Sequence, residues 1–261
     1  MAFSIAQSPT CRQDSLHPYR KARPEACLAA KLAAHPDYRV LRRLDTLRQR
    51  PALDGSAVRR AAIVDTETTG TDPTVDKVIE LAIVVVEYSH VTGTVGRVLE
   101  TYDALEDPGM PIPPASTAIH GITDAMVADQ RIDDVRVGQL LESVGIVIAH
   151  NAGFDRKFLD AELALVGRER TNPMACTVLA ARRLYPESSN HKLATLVSHL
   201  GIFTDGTFHR ALADAEMTGH LWIAMTDLLC SRYNLSEIPF ALMQEMTRIS
   251  RRKVDRFLRG Y

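Results

Sequence analysis

Cysteine is scarce in this chain. The four present, Cys11, Cys27, Cys176 and Cys230, are widely separated, with no CxxC pair and no His/Cys spacing of the zinc-binding kind. A disulfide scaffold and a zinc finger are thereby excluded, and the thiols read as the reduced cysteines of a cytoplasmic protein. Long apolar runs are missing too. The longest, Leu81 to Val86, falls far short of the ~20 residues that cross a bilayer. Residues Met1 to Arg20 hold no apolar stretch followed by a small-residue cleavage site, so no secretory leader is expected and no membrane is implied. Repeats and low-complexity tracts are absent as well. What remains is an ordinary globular composition, 46% hydrophobic and 24% charged, which excludes wholesale disorder. Its 261 residues suffice for one sizeable domain with extensions, or for two small ones.

The net charge of −1 conceals an asymmetry: residues 1–60 carry +7, residues 61–230 carry −12 and residues 231–261 carry +4. A protein that simply coats DNA would be basic throughout. An acidic middle suits a body that gathers carboxylates for metal ions, with basic ends able to approach a polyanion. Basic helical ends are also merely solvated faces, and charge alone leaves both readings open.

Periodicity divides the chain. From Pro24 to Arg50 the apolar residues recur at helical spacing, giving one or two amphipathic helices after a poorly patterned residue 1–20 segment. Pro51 to Ser56 carries breaker residues and reads as a linker. Three β-rich segments follow, at Ala61–Val64, Val78–Tyr88 and Thr94–Tyr102, close enough to form an antiparallel meander. Pro108 to Pro114 is a loop. Helical patterns cover Asp133–Ser143, Phe154–Val166, Thr177–Leu184, His191–Leu200 and Ala211–Leu229, with an apolar strand at Gly145–Ala149. Two short helices close the chain, with basic residues clustered from Arg248 to Arg259. Strands first, then strand and helix in alternation, give an α/β fold with a mixed sheet under helices. The expected division is a basic helical extension and linker over 1–56, a main α/β domain over 57–230 and a basic helical extension over 231–261.

Acidic residues at element ends carry the chemistry. Asp65 and Glu67 lie two apart at the end of the first strand and so project from one face. Two adjacent carboxylates repel and resist desolvation, costs that a divalent cation removes; Mg²⁺ and Mn²⁺ favour such oxygen ligands. Asp155 follows a strand and a turn (Asn151-Ala152-Gly153), at a helix start where the dipole suits an anion. His209 and Asp214 are five residues apart, roughly 140° around a straight helix. They share a site only if His209 stands on the lead-in loop and Asp214 inside the helix. Each of these features taken alone is also an ordinary exposed or helix-capping residue.

In the order DxE, D, HxxxxD the pieces form one pattern. IVDTETTG, IVIAHNAGFDRKFLD and HRALADA resemble the three motifs of the DEDDh branch of the DEDD exonucleases, the group that contains the proofreading epsilon subunit of bacterial DNA polymerase III. The STAIHGIT segment, taken as a loop, is similar too. The likeness spans about Ala61 to Leu229, and His209 five before Asp214 marks this branch rather than its tyrosine-bearing sister.

The resemblance implies a ribonuclease H-like, mixed five-stranded sheet flanked by helices, and metal-dependent 3′-5′ cleavage that releases nucleoside 5′-monophosphates from single-stranded DNA 3′ ends. It implies that Asp65, Glu67, Asp155 and Asp214 hold two Mg²⁺ or Mn²⁺ ions, with His209 as general base. Thr68, Thr69 and Gly70 would border the terminal nucleotide, Gly70 by letting the backbone come close, while His120 and Phe154 would lie against the last bases. A DNA polymerase subunit is an implied partner and DNA replication an implied setting. Two alternatives stand beside this: RNA or oligonucleotide trimming, since metal chemistry does not read the 2′-OH, and a non-cleaving nucleic-acid or polymerase-binding module. No Gly/Ser/Gln-rich linker follows Leu229, unlike the epsilon subunit. Deleting residues 1–55 is expected to leave cleavage detectable. His150 is expected to support the strand end, and Trp222 and the late methionines to be core.

Overall fold

The computed structural model describes residues 47–55, 57–202 and 208–261. The helices expected between Pro24 and residue 46, together with Cys11 and Cys27, lie outside the described residues. Residues Leu44–Tyr261 form one compact unit.

A single mixed sheet organises that unit. Strands β1 (Val58–Thr68), β2 (Val78–Ser89) and β3 (Val95–Leu105) form the antiparallel meander; β4 (Ile146–Ala149) and β5 (Met174–Cys176) add in parallel on the other side of β1, giving the order β3-β2-β1-β4-β5. The helices are α1 (Pro114–His120), α2 (Asp124–Val127), α3 (Asp134–Glu142), α4 (Gly153–Leu165), α5 (Thr177–Leu184), α6 (Leu193–His199), α7 (Ala211–Tyr233), α8 (Phe240–Arg248) and α9 (Arg251–Arg259).

Strand parity distributes the core. On β1, Ala61 and Ile63 face a layer built with α5 to α9, whereas Ala62 and Val64 face a layer built with α3 and α4. Strand β2, between β3 and β1, is buried on both faces along nearly its whole length, which its continuous apolar run anticipates. Helix α7 crosses the sheet at close range: a Cβ at Gly219 would lie 2.4 Å from Leu47 Cδ1 and 2.8 Å from Ile63 Cδ1, so only glycine lets the helix approach. Trp222 is 1% exposed and donates from Nε1 to the Gly93 carbonyl at 3.2 Å, satisfying its polar atom inside the core. Met225, Met243 and Met246 are fully buried there.

Three expectations change. The segment STAIHGIT is mostly helix: Ser116 to His120 belong to α1, and Gly121 ends it in a left-handed conformation with its N–H on the Thr117 carbonyl. Strand β5 and the single turn α2 carried too few residues to show a period. The residue 51–55 segment, although without helix or strand, is held to the sheet: Leu53 N–H donates to Glu87 Oε2 at 2.7 Å, and just before it Arg50 Nε donates to the Val95 carbonyl at 2.9 Å. Leu47, Leu242, Met246, Val254 and Leu258 share the core of the α7 face, so residues on both flanks of the 57–230 segment are packed into it.

Candidate active site

The site forms where β1 and β4 end. In open α/β sheets the carboxyl ends of parallel strands leave a crevice for ligands, and β1 pairs in parallel with β4 up to Val64 and Ala149. Asp65 and Glu67 continue the Ala61/Ile63 parity and so face α7, which supplies Asp214 from its first turn. Asp155 enters from the opposite layer, in the first turn of α4. Between the two acids of β1, Thr66 points the other way and donates from Oγ1 to Asp155 Oδ1 at 3.0 Å. The strand's alternation thus presents two carboxylates on one side and grips a third on the other.

His209 stands just before α7, and Asp214 lies inside it, the arrangement their spacing requires. His209 holds φ at +60°, an uncommon conformation for a residue with a side chain. Its N–H donates to Asp214 Oδ2 at 3.1 Å. Ligand atoms of Glu67, His209 and Asp214 lie within 4.8 Å of one another.

Asp65 and Asp155 stand outside that 4.8 Å group, and their carboxyls are shifted by the same surroundings. Burial, then the charges of Asp155, Asp214, Glu67 and Glu80, raises Asp65 well above the ordinary carboxylate range. Glu67 is pushed up to about 8 by burial and by Asp214, Glu80 and Asp155. Burial raises Asp155 against the opposing Thr66 hydroxyl, and raises Asp214 against the His209 N–H. Asp214 Oδ1 is buried and has no hydrogen-bond partner among the described residues. An unpartnered carboxylate oxygen among mutually repelling acids is a poor arrangement for protein alone and a good one for divalent cations. The donor set is all-oxygen with one adjacent imidazole, which suits Mg²⁺ or Mn²⁺ rather than a thiophilic ion.

The expected nucleotide contacts fare differently. Thr69 is 1% exposed and its hydroxyl is committed, donating to Asp76 Oδ1 at 3.2 Å and accepting from Lys77 N–H at 3.0 Å. A Cβ at Gly70 would lie 2.4 Å from both carboxylate oxygens of the Asp76 side chain, which would have to shift to admit it. Thr68 is buried and donates to the Gly70 carbonyl. His120 is 6% exposed, too covered to offer a stacking face, with Nδ1 accepting from Ile122 N–H at 3.0 Å. Its Nε2, however, has no partner among the described residues, so hydrogen bonding is the contact left to it. Phe154 is half-buried against Phe158, ring centroids 5.0 Å apart, beside Asp155. His150 bridges Thr177 Oγ1 at 2.9 Å and the His191 carbonyl at 3.1 Å, bracing the end of β4.

Sequence reasoning missed Thr66, Glu80 and Arg210. Glu80 had a signal: an acid followed by the apolar run Leu81–Val86 of β2 needs a partner once buried. That partner is Arg210, whose guanidinium clasps both carboxylate oxygens at 2.6–3.2 Å.

Comparison with known proteins agrees with this architecture. The sequence profile of the exonuclease family (RNase_T) matches residues 62–221. A DNA polymerase III subunit epsilon-like protein of Rhodobacter capsulatus is 38% identical over 176 residues, 65% of this chain and 24% of that protein. A PolC-type DNA polymerase III of Listeria innocua is 37% identical over 169 residues, 63% of this chain and 11% of that one. The chain thus matches a quarter or less of the length of these relatives. Among solved structures, Exonuclease X in complex with 5′ overhanging duplex DNA superposes with a TM-score of 0.54 at 28% identity, covering 72% of this chain and 99% of its own. Escherichia coli Exonuclease I with a dT13 oligonucleotide shares the fold at a TM-score of 0.55 and 19% identity, over 72% of this chain and 43% of that one. With the ribonuclease H-like sheet and a profile match over more than half its length, this chain belongs to the exonuclease family.

Proposed function

We propose that the chain is a 3′-5′ exonuclease acting on single-stranded 3′ ends of DNA, in proofreading or trimming. The observation that carries this reading is the grouping of Glu67, exposed His209 and Asp214 within 4.8 Å, next to buried Asp155 and to Asp65, whose carboxyl is raised by burial and by the charges of Asp155, Asp214 and Glu67. Family membership supports a nuclease, and the DNA in the Exonuclease X complex supports the substrate class. A DNA polymerase subunit as partner is suggested by the names of the relatives. Among the described residues no helix is long and apolar enough to cross a membrane.

The four carboxylates would hold two divalent cations, Mg²⁺ or Mn²⁺. Bound there, such ions supply positive charge that favours a hydroxide nucleophile and stabilises the departing 3′ oxygen. The protein's own residues do the rest. The Thr66 hydroxyl holds the Asp155 carboxylate in place. The His209 ring takes the proton of the water that attacks the terminal phosphodiester, a role worth about 10²–10⁴ in rate. His120 Nε2 offers a hydrogen bond to the terminal nucleotide, and the exposed part of Phe154 offers a surface on which a base stacks regardless of sequence. Water adds across the phosphodiester, giving a nucleoside 5′-monophosphate and a chain shorter by one residue with a new 3′-OH.

The deciding experiment incubates the full chain with Mn²⁺ and a 5′-labelled single-stranded DNA, with a matched RNA in parallel. Progressive loss from the 3′ end with release of deoxynucleoside 5′-monophosphates is expected, and Asp65→Ala should abolish it. Preferential release of ribonucleotides would reassign the substrate. An inert wild type that still binds the oligonucleotide would overturn the enzymatic reading.

A further inference from the structure

Three consecutive residues at the mouth of the site are tied down by separate means. His209 N–H is held by Asp214 Oδ2 at 3.1 Å, Arg210 by the buried carboxylate of Glu80, and Ala211 N–H by Glu80 Oε2 at 2.9 Å. The Glu80 side chain is 1% exposed, so its charge has left water and needs both the guanidinium fork and the backbone donor. The hydrogen bond at Ala211 also satisfies one of the free N–H groups that open helix α7, where Arg210, the residue before the helix, makes no side-chain cap of its own. Flanked by these anchors, His209 keeps a left-handed backbone that costs of order 1 kcal/mol and persists only where its surroundings enforce it. The residue itself stays exposed.

Register adds a second consequence. Glu80 lies directly opposite Glu67 across the β1–β2 pair. Left bare, it would be a fifth acid beside the four proposed for cation binding. Arg210 occupies both of its oxygens and so keeps it out of that set.

We propose that Arg210 is a positioning residue: through its clasp on Glu80 it fixes the His209 turn, aims the imidazole at the attacking water, and withholds Glu80 from the cations. This rests on His209 being the base. The guanidinium side chain is 41% exposed, so a direct grip on substrate phosphate is the rival role the test must separate.

The test compares Arg210→Met, Arg210→Lys and the double variant Glu80→Gln/Arg210→Met, which strands no buried charge if Arg210→Met alone fails to fold. Small displacements of a catalytic group cost up to about 10²-fold in rate. Arg210→Met and the double variant should therefore lower kcat by about 10- to 100-fold with KM within about threefold, and Arg210→Lys should recover part of the loss. In a His209→Gln background, removing Arg210 should cost less than about twofold, because residues that act as a unit are not additive. Independently of catalysis, amide exchange at His209 and Ala211 should accelerate at least tenfold in the metal-free variants, while core amides of β2 stay protected.

A rise in KM with kcat preserved would place Arg210 on the substrate and overturn the proposal. So would a full loss that persists without His209, or exchange at His209 and Ala211 unchanged. Should the wild type fail to cleave at all, the nuclease reading falls while the exchange measurement still decides whether Arg210 holds the turn.

Discussion

Thr66 and Asp155, 89 positions apart, meet in a 3.0 Å hydrogen bond that joins the middle of the DTE motif on β1 to the first turn of α4. The bond is buried and lies on the face of the sheet that α3 and α4 cover. Thr66→Val is isosteric but leaves Asp155 without this donor. A lost hydrogen bond to a buried charged group costs about 1–3 kcal/mol. We expect a lower urea midpoint and a higher Mn²⁺ concentration for half-maximal activity; unchanged values of both would show that Asp155 is fixed by its helix alone.

The carboxylate cluster sets a pH dependence. Glu67 stands at about 8 and Asp65, Asp155 and Asp214 are all raised, so their folded-state values exceed those of the unfolded chain. Stability from such groups is fully present below about pH 4 and drains as pH climbs through the folded values, because ionisation then opposes burial. The metal-free protein should lose Tm between about pH 5 and 8. Mn²⁺ should raise Tm more at the upper end, where the ionised acids need it most. A Tm that climbs across that window without metal would contradict the cluster.

Removing the base and removing a ligand should differ in kind. His209→Ala is expected to lower kcat by about 10²–10⁴ while Mn²⁺ binding, followed by calorimetry, persists. Asp214→Asn should cost more and weaken Mn²⁺ binding, since Asp214 both faces the site and holds the His209 N–H. Equal losses of metal binding in the two variants would make His209 a ligand instead.

The N-terminal boundary can be placed by truncation. Leu47 is fully buried against Gly219 and Ile63. A chain starting at residue 44 should keep this contact, whereas one starting at residue 56 loses it together with the Arg50 and Leu53 hydrogen bonds. Emptying a buried leucine site costs about 2–5 kcal/mol. The shorter chain should melt markedly earlier; coincident melting curves would show that Leu47 is dispensable. The expectation of detectable activity after deleting residues 1–55 therefore holds only where the stability reserve exceeds that loss.

The meander, helix α5 and the placement of His209 ahead of α7 were legible because each depends on local spacing. The short apolar run of β1 and the β-branched run of β2 are local signals, and Thr177–Leu184 is bounded by its own pattern. What stayed hidden depends on partners distant in sequence. Glu80 and Arg210 are 130 residues apart, and nothing near either one names the other. Thr69 and Gly70 both lie against Asp76, a neighbour that the motif itself does not name. His120 was identifiable as a residue of interest but not as a buried one, because Ser116 to His120 form a short helix pinned by Ser116 Oγ on the Thr69 carbonyl at 2.7 Å.

The two-sided alternation of β1 makes the strand intolerant of length change. Inserting or deleting a single residue between Val58 and Asp65 would rotate everything beyond it by half a period. The carboxylates would turn toward α4, Thr66 would turn toward α7, and the apolar residues shifted with them would trade layers. Site and core would therefore fail together, so no indel within this stretch could be repaired by adjusting either one alone.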